Sequence, residues 1–299
     1  LDFLRQPPPA DAEQNLAGLV ALLRANDESS DMVDELMQRV DVPLKEATDP
    51  SEGNNRKFLL CEFNRDGDSY RSPWSNTYDP PHKGLVPSDA LRALERHANE
   101  LMDTYRQQYY GNDSKTHSSV SSVYLWDRED DPATVANKAT PGAFAGSFLL
   151  SKTLLDTSSN LTAGSYWNSI HVVDVHPVLG SQKASYKLTT TILFSMEPAD
   201  NAKYPTAATF HGSLSKQMER TSDISTADDS IGSAHLVNIG TMIEEMELDL
   251  RKSLDSLYIL KTHQIVESVR KPSMKPDGDK GERAHTMMLN EAILSRGKK

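Results

Sequence analysis

Cysteine is almost absent from this 299-residue chain, with Cys61 standing alone. That excludes an intrachain disulfide, leaves any all-cysteine metal site short of ligands, and fits the reducing cytoplasm. Long apolar runs are missing as well. No stretch approaches the roughly 18–20 consecutive apolar residues that span a bilayer as a helix, and residues 1–10 have no basic region followed by an apolar one, so no transmembrane segment or secretion is expected. Basic excess is absent. The 32 Lys and Arg face 43 Asp and Glu for a net charge of −11, which opposes the counterion release that drives nucleic-acid binding, and no long basic stripe interrupts it. No Walker loop, dinucleotide glycine turn, G-x-S-x-G elbow or zinc-protease histidine pair occurs, so neither enzymatic activity nor a cofactor is expected. What remains, at 37% hydrophobic residues and a mean hydropathy of −0.56, is a polar chain long enough to bury a sizeable core.

After Pro7-Pro8-Pro9, Leu16, Leu19, Val20 and Leu23 recur at helical spacing, and Met32, Val33, Leu36, Met37 and Val40 do so again. These predict two short amphipathic helices. Residues 41–55 read as loop, with a helical turn at 44–47, and residues 58–63 form an apolar run suited to a buried strand. Residues 64–87, rich in Asp, Gly, Pro, Ser and aromatics, suit an ordered loop held by turns and packed rings. Ser88 caps a helix whose apolar face is Leu91, Leu94, Ala98, Leu101, Met102, Tyr105 and Tyr109, ending near Gly111.

The period then changes. Residues 120–127, 143–155, 166–175 and 184–197 are β-branched and aromatic with polar separators, and a fifth strand runs from about 209 to 218, which together predict an antiparallel sheet. Residues 128–142 and 156–164 read as hairpin loops and 221–230 as a linker. Residues 234–269 form the longest regular element. Leu236, Ile239, Ile243, Met246, Leu250, Leu254, Leu257, Ile265 and Val269 make an apolar stripe that must cover a sheet or another long helix. Pro272 and Pro276 end it, residues 275–281 are a polar tether, and residues 283–296 are helix-prone.

The run from Cys61 to Pro81, CEFNRDGDSYRSPWSNTYDPP, resembles the signature of the F-actin capping protein β-subunit family. Residues 121–127 (SSVYLWD), 167–175 (WNSIHVVDV), 185–190 (SYKLTT), 212–219 (GSLSKQME) and 238–270 continue the likeness in order. The fold the resemblance implies is α+β, with an N-terminal helical stalk and an antiparallel sheet shared with a homologous partner subunit. One long helix packs over that sheet, and a C-terminal amphipathic tentacle helix completes the chain. By residues this divides into 1–57 (stalk), 58–119 (loop-rich globule with one helix), 120–220 (sheet), 234–270 (long helix) and 271–299 (tether and tentacle). The partners implied are a capping protein α subunit in an obligate heterodimer and the barbed end of an actin filament. Regulators such as myotrophin-like inhibitors, CARMIL-type capping-protein-interaction motifs and phosphoinositides follow from the same likeness, with a place in the cytoplasmic actin cytoskeleton.

The tentacle is the main candidate site. On a helix, Ala284, Met288, Leu289, Ala292 and Ile293 fall within one half of the surface, with Thr286, Asn290 and Glu291 largely opposite. A helix of about a dozen residues is marginal alone in water, so its apolar side needs a docking surface. Leu289 and Ile293 match the family's apolar positions, whereas His285 stands where a leucine is expected. Arg270, Arg283, Arg296, Lys298 and Lys299 make this tail basic on an acidic body, a charge that draws it toward acidic actin or anionic headgroups. By resemblance Met288, Leu289, Ala292, Ile293, Arg296 and Arg251 are actin-binding, and Arg251 and Arg270 meet regulators. Read from the residues alone, any one such cation is an ordinary solvated charge.

Other patterns carry less. Glu62, Asn64 and Asp66 stand at the first, third and fifth places of a calcium loop and Gly67 at the sixth, but Pro73 at the twelfth cannot supply the bidentate carboxylate. Asx turns and the packing of Tyr70, Trp74 and Tyr78 account for the segment instead. His171 and His176 are five apart on a strand and point to opposite faces, so they make no zinc pair. Cys61 in an apolar strand is expected to be an inert buried thiol. Asn112 and Asn160 are formal glycosylation acceptors without meaning in an unsecreted chain. Two functions are therefore in contention. One is a heterodimeric barbed-end capper acting by steric occupation, and the other a scaffold or regulatory subunit that caps an actin-related filament or docks partner proteins.

Overall fold

The computed structural model describes residues 9–24, 43–51, 55–111, 117–128, 143–154, 165–178, 180–196, 210–224 and 231–270. Its elements are α1 (Pro9–Arg24), β1 (Lys45–Thr48), β2 (Lys57–Leu60), a 3-10 turn (Glu62–Asn64), β3 (Arg65–Asp66), β4 (Ser69–Arg71), β5 (Tyr78–Asp79), α2 (Asp89–Tyr109), β6 (His117–Asp127), β7 (Phe144–Leu154), β8 (Tyr166–Pro177), β9 (Lys183–Met196), β10 (Phe210–Asp223) and α3 (Ile231–Arg270). The chain divides into two compact units, residues 1–250 and 251–299, and the second is described only by its helical residues up to Arg270.

The main sheet has the order β10-β9-β8-β7-β6, every neighbour antiparallel. The five predicted strands are all present. Strands follow one another in sequence because each polar separator only has to reverse the chain. Alternation sets the faces: along β9, Ala184, Tyr186, Leu188, Thr190 and Ile192 are buried while Lys187 is exposed. From Ile192 to Ser195 burial becomes continuous.

One face carries the helices. The row Phe144–Val175–Tyr186 lies under His235 of α3, whose ring packs edge-on to Phe144 and whose Nδ1 meets the Tyr186 hydroxyl at 2.8 Å. Asn238 adds a hydrogen bond to the same hydroxyl and another to the carbonyl of Asp223. The opposite face packs Val120, Tyr124 and Leu149 against Leu59 of β2, with Leu44, Cys61 and Ile170 around them. Fully burying one such leucine contributes roughly 1.5–3 kcal/mol. Farther along, α1 lies against β9 and β10 with Leu16 buried.

Several expectations are corrected. The helical turn at 44–47 is instead strand β1, paired with β2 in the register Lys45↔Leu60 to Thr48↔Lys57; four residues cannot nucleate a helix when an apolar partner strand is at hand. The run 58–63 stops as a strand at Leu60, where Asn64 takes over. The Asn64 carboxamide accepts from the Cys61 amide and donates to the carbonyl of Arg71, folding the chain back on itself. The loop 64–87 contains the small sheet β3-β4-β5. β10 continues to Asp223, into what reads as linker, because the β9 register Ala184↔Ser222 and Lys183↔Asp223 supplies backbone partners for polar residues. Leu101 and Tyr109, assigned to the apolar face of α2, are 46% and 58% exposed. The second N-terminal helix, the loops at 129–142 and 155–164, and the tail from 271 lie outside the described residues.

Acid sensitivity is built into this fold. Burial raises the Asp49 carboxyl, but hydrogen bonds from Ser51, Ser72 and Ser75 outweigh that and hold it down at about 2. Desolvation lowers His235 to about 4. Both are depressed in the folded state, so both favour folding at neutral pH. The His235 contribution is lost as pH falls from 6.5 through about 4, and that of Asp49 as pH falls from 3.8 through about 2. Denaturant titrations across this range are expected to show stability declining in these two windows. Replacing His235 by phenylalanine removes the first decline only.

Candidate assembly surface

The outermost strand β10 is 14 residues long and pairs only with β9 among the described residues. Its other edge is a row of backbone donors and acceptors, the kind of edge that accepts another strand. Gly212 sits opposite Phe194, whose ring covers it; a Cβ there would lie 3.0 Å from the ring. On the helix-bearing side, Lys216 pairs with Asp249 and Arg220 grips Glu245, Nη1 to Oε1 at 3.2 Å. The Arg220 hydrogen bond draws the Glu245 carboxyl down. These pairs are solvent-exposed and screened by salt, so they steer α3 more than they fasten it.

What fastens α3 lies beneath. Glu247, 2% exposed, accepts from the hydroxyls of Tyr110 at 2.6 Å and Tyr105 at 3.1 Å and meets His171 Nε2 at 3.3 Å, while His171 Nδ1 reaches Thr190 Oγ1 at 2.9 Å. One carboxylate thus ties α2, α3, β8 and β9 together. A buried carboxylate with these partners fixes the register of the helix, because sliding by a turn would strand it. His176 is exposed on the far side of β8, as the five-residue spacing requires.

The signature segment is a second anchor. Arg71 makes a bidentate pair with Glu95 of α2 at 2.9 and 2.8 Å and also reaches Asn76 at 2.7 Å; Glu95 is fully buried and is gripped from its own helix by Arg92. Trp74 donates its indole N–H to the carbonyl of Lys57 under the guanidinium of Arg56, and Tyr78 donates to the carbonyl of Leu85. Desolvation pushes the Cys61 thiol up to about 12, so it is inert as a nucleophile near neutral pH.

A family model described as "F-actin capping protein, beta subunit" matches residues 1–266. The chain belongs to the F-actin capping protein β-subunit family. It is 37% identical to the F-actin-capping protein subunit beta of Dictyostelium discoideum over 99% of this chain and 97% of that protein. To the same subunit of Drosophila melanogaster it is 38% identical over 100% and 95%. Among solved structures it is similar to the homodimeric actin capping protein alpha subunit of Plasmodium berghei, with a TM-score of 0.51 at 16% identity over 93% of this chain and 96% of that one. That likeness places the α+β fold with the capping protein subunits.

Of the site residues read by resemblance, Arg251 is exposed on α3 and Arg270 is the last residue of that helix, its side chain outside the described residues. Met288, Leu289, Ala292, Ile293 and Arg296 also lie outside them. Residue-by-residue reading missed Glu95, Asn99, Arg106 and Glu247, all buried and hydrogen-bonded, and it weighed His171 only as half of a rejected zinc pair. Their only signal was position, since Glu95, Asn99 and Arg106 share a stripe with Leu91, Leu94, Ala98 and Met102 on α2.

Proposed function

We propose that this chain is the β subunit of a heterodimer that occupies the barbed end of an actin filament and blocks subunit addition and loss. Membership of the family along nearly the whole chain carries the reading. The open edge of β10 gives it a physical route, since a homologous α subunit adding its own edge strand there would continue one sheet through both chains. Filament blocking needs no turnover, so no catalytic group or cofactor is called for. The basic tail from Arg283 to Lys299, with Met288, Leu289, Ala292 and Ile293 on its apolar side, would dock on terminal actin as a helix in a groove, with Arg296 and Arg251 at the acidic surface around it. Regulators would compete at Arg251 and Arg270. The place of work is the cytoplasmic actin cytoskeleton.

Elongation of fluorescent actin from filament seeds tests this directly. The chain co-expressed with an α subunit is expected to arrest barbed-end growth at concentrations far below that of actin and to lose potency as salt rises. Growth that continues at saturating heterodimer would leave only a scaffold or actin-related-filament role.

A further inference from the structure

We infer that Asn99 and Glu95 determine which edge of the sheet a partner can join: through them α2 stands in for a sixth strand and closes β6, leaving β10 as the edge for assembly. This rests on the reading that the partner adds at β10.

In an antiparallel strand the N–H and C=O of alternate residues point to the same side. On β6 the outward residues include Ser119, Ser121, Val123 and Leu125, and the backbone groups of Ser119, Val123 and Leu125 meet side chains of α2. The Val123 N–H donates to Asn99 Oδ1 at 2.8 Å, and Asn99 Nδ2 donates to the Val123 carbonyl at 2.9 Å. A carboxamide carries the same donor and acceptor as a peptide group, so this pair of bonds reproduces one rung of a strand ladder. Two residues on, the Leu125 N–H donates to Glu95 Oε2 at 2.7 Å, and toward the other end Arg106 Nη1 donates to the Ser119 carbonyl at 3.2 Å.

This arrangement is costly to build, which argues that it has a use. Glu95, Asn99 and Arg106 are three of the seven buried residues of α2. Burying them is unfavourable unless every polar atom is matched. Each is matched: Arg71 and Arg92 hold Glu95, Asp103 holds the Arg106 guanidinium, and Asn99 also donates to the Glu95 carbonyl. Through Arg71 the signature segment supports the acid that occupies the edge. Without this cover β6 would present Val120, Val123, Tyr124 and Leu125 on an open edge, a β-prone template for unwanted pairing. At β10 the helix contacts are of another kind: α1 packs against the strand and Asn238 of α3 donates only to the carbonyl of its last residue, Asp223, while Lys216 and Arg220 are answered by exposed pairs with α3. The two edges of the sheet thus differ in kind.

The test uses the chain co-expressed with an α subunit. In the unsubstituted complex, the amides of Val123 and Leu125 are expected to exchange with deuterium as slowly as those of Ser122 and Tyr124, although they face away from β7. Asn99→Ala is expected to speed exchange at Val123 about 10- to 100-fold. It should also let β6 edges meet, so that a Ser121→Cys substitution cross-links two complexes in the Asn99→Ala background and not with Asn99 intact. Cys61 is half-buried, so the assay is run in a Cys61→Ser background as the reference. Rapid exchange at Val123 and Leu125 in the unsubstituted complex overturns the inference even where Asn99→Ala fails to fold. So does a folded Asn99→Ala complex with unchanged exchange and no cross-link. Slow exchange along the outer edge of β10 in the same experiment reports separately on the partner's position: a fast β10 edge would remove the shared-sheet reading while the β6 result stood.

Discussion

Changing Leu289 to aspartate, or ending the chain after Gly281, is expected to leave the heterodimer assembled and to shorten its residence on barbed ends about 30- to 100-fold, a loss of roughly 2–3 kcal/mol. The tail stripe of Met288, Leu289, Ala292 and Ile293 can bury on the order of 200–300 Å² against actin. At about 25 cal/mol per Å² that is roughly 5–7 kcal/mol before the cost of ordering a tether and a short helix, and the surplus is what binding keeps. A central carboxylate in such a stripe removes the anchor and adds a desolvation penalty. The measurement is dissociation of labelled heterodimer from immobilised filaments. An unchanged lifetime would mean that the globular part alone holds the end.

A second large effect is expected at Arg71. Arg71→Met keeps the length and apolar stem of the side chain but removes the bidentate partner of Glu95, a carboxylate with no exposure. Arg92 remains, but it already holds Glu95 through one oxygen while its other nitrogen serves the Trp74 carbonyl. Losing one member of a buried pair costs about 3–5 kcal/mol, because the other is left uncompensated. Thermal unfolding of the heterodimer should fall by roughly 10 °C, or the chain should fail to accumulate. Replacing Arg56, whose guanidinium lies on the exposed side over Trp74, is expected to change stability by well under about 1 kcal/mol. Equal effects at the two positions would show that the pairing of Arg71 with Glu95 does not bear the load.

Strand positions 120–127, 144–154 and 184–196 were legible because alternation and β-branching are local, and the buried stripe of α3 at Leu236, Ile239, Ile243, Met246 and Leu250 because three-four spacing is local too. The stop at Leu60 was not legible. Whether an apolar run continues as a strand depends on where Asn64 can reach, and its partner Arg71 is seven residues on. Strand β1 was likewise missed, since Lys45-Glu46-Ala47-Thr48 has helical composition and becomes a strand only by pairing with residues 57–60.

Composition and pattern by themselves determined that the chain has no intrachain disulfide, no apolar run long enough for a membrane-spanning helix and no familiar catalytic motif, that it alternates between helix and an antiparallel sheet, and which family it resembles. Those properties depend on residue type and near-neighbour spacing. Only the folded arrangement decided that Glu95 and Asn99 close one sheet edge, that Glu247 and His171 lock α3, and that β10 is the edge left open. The first two join residues 24 or more positions apart. A buried polar side chain has a meaning only through the distant group that satisfies it.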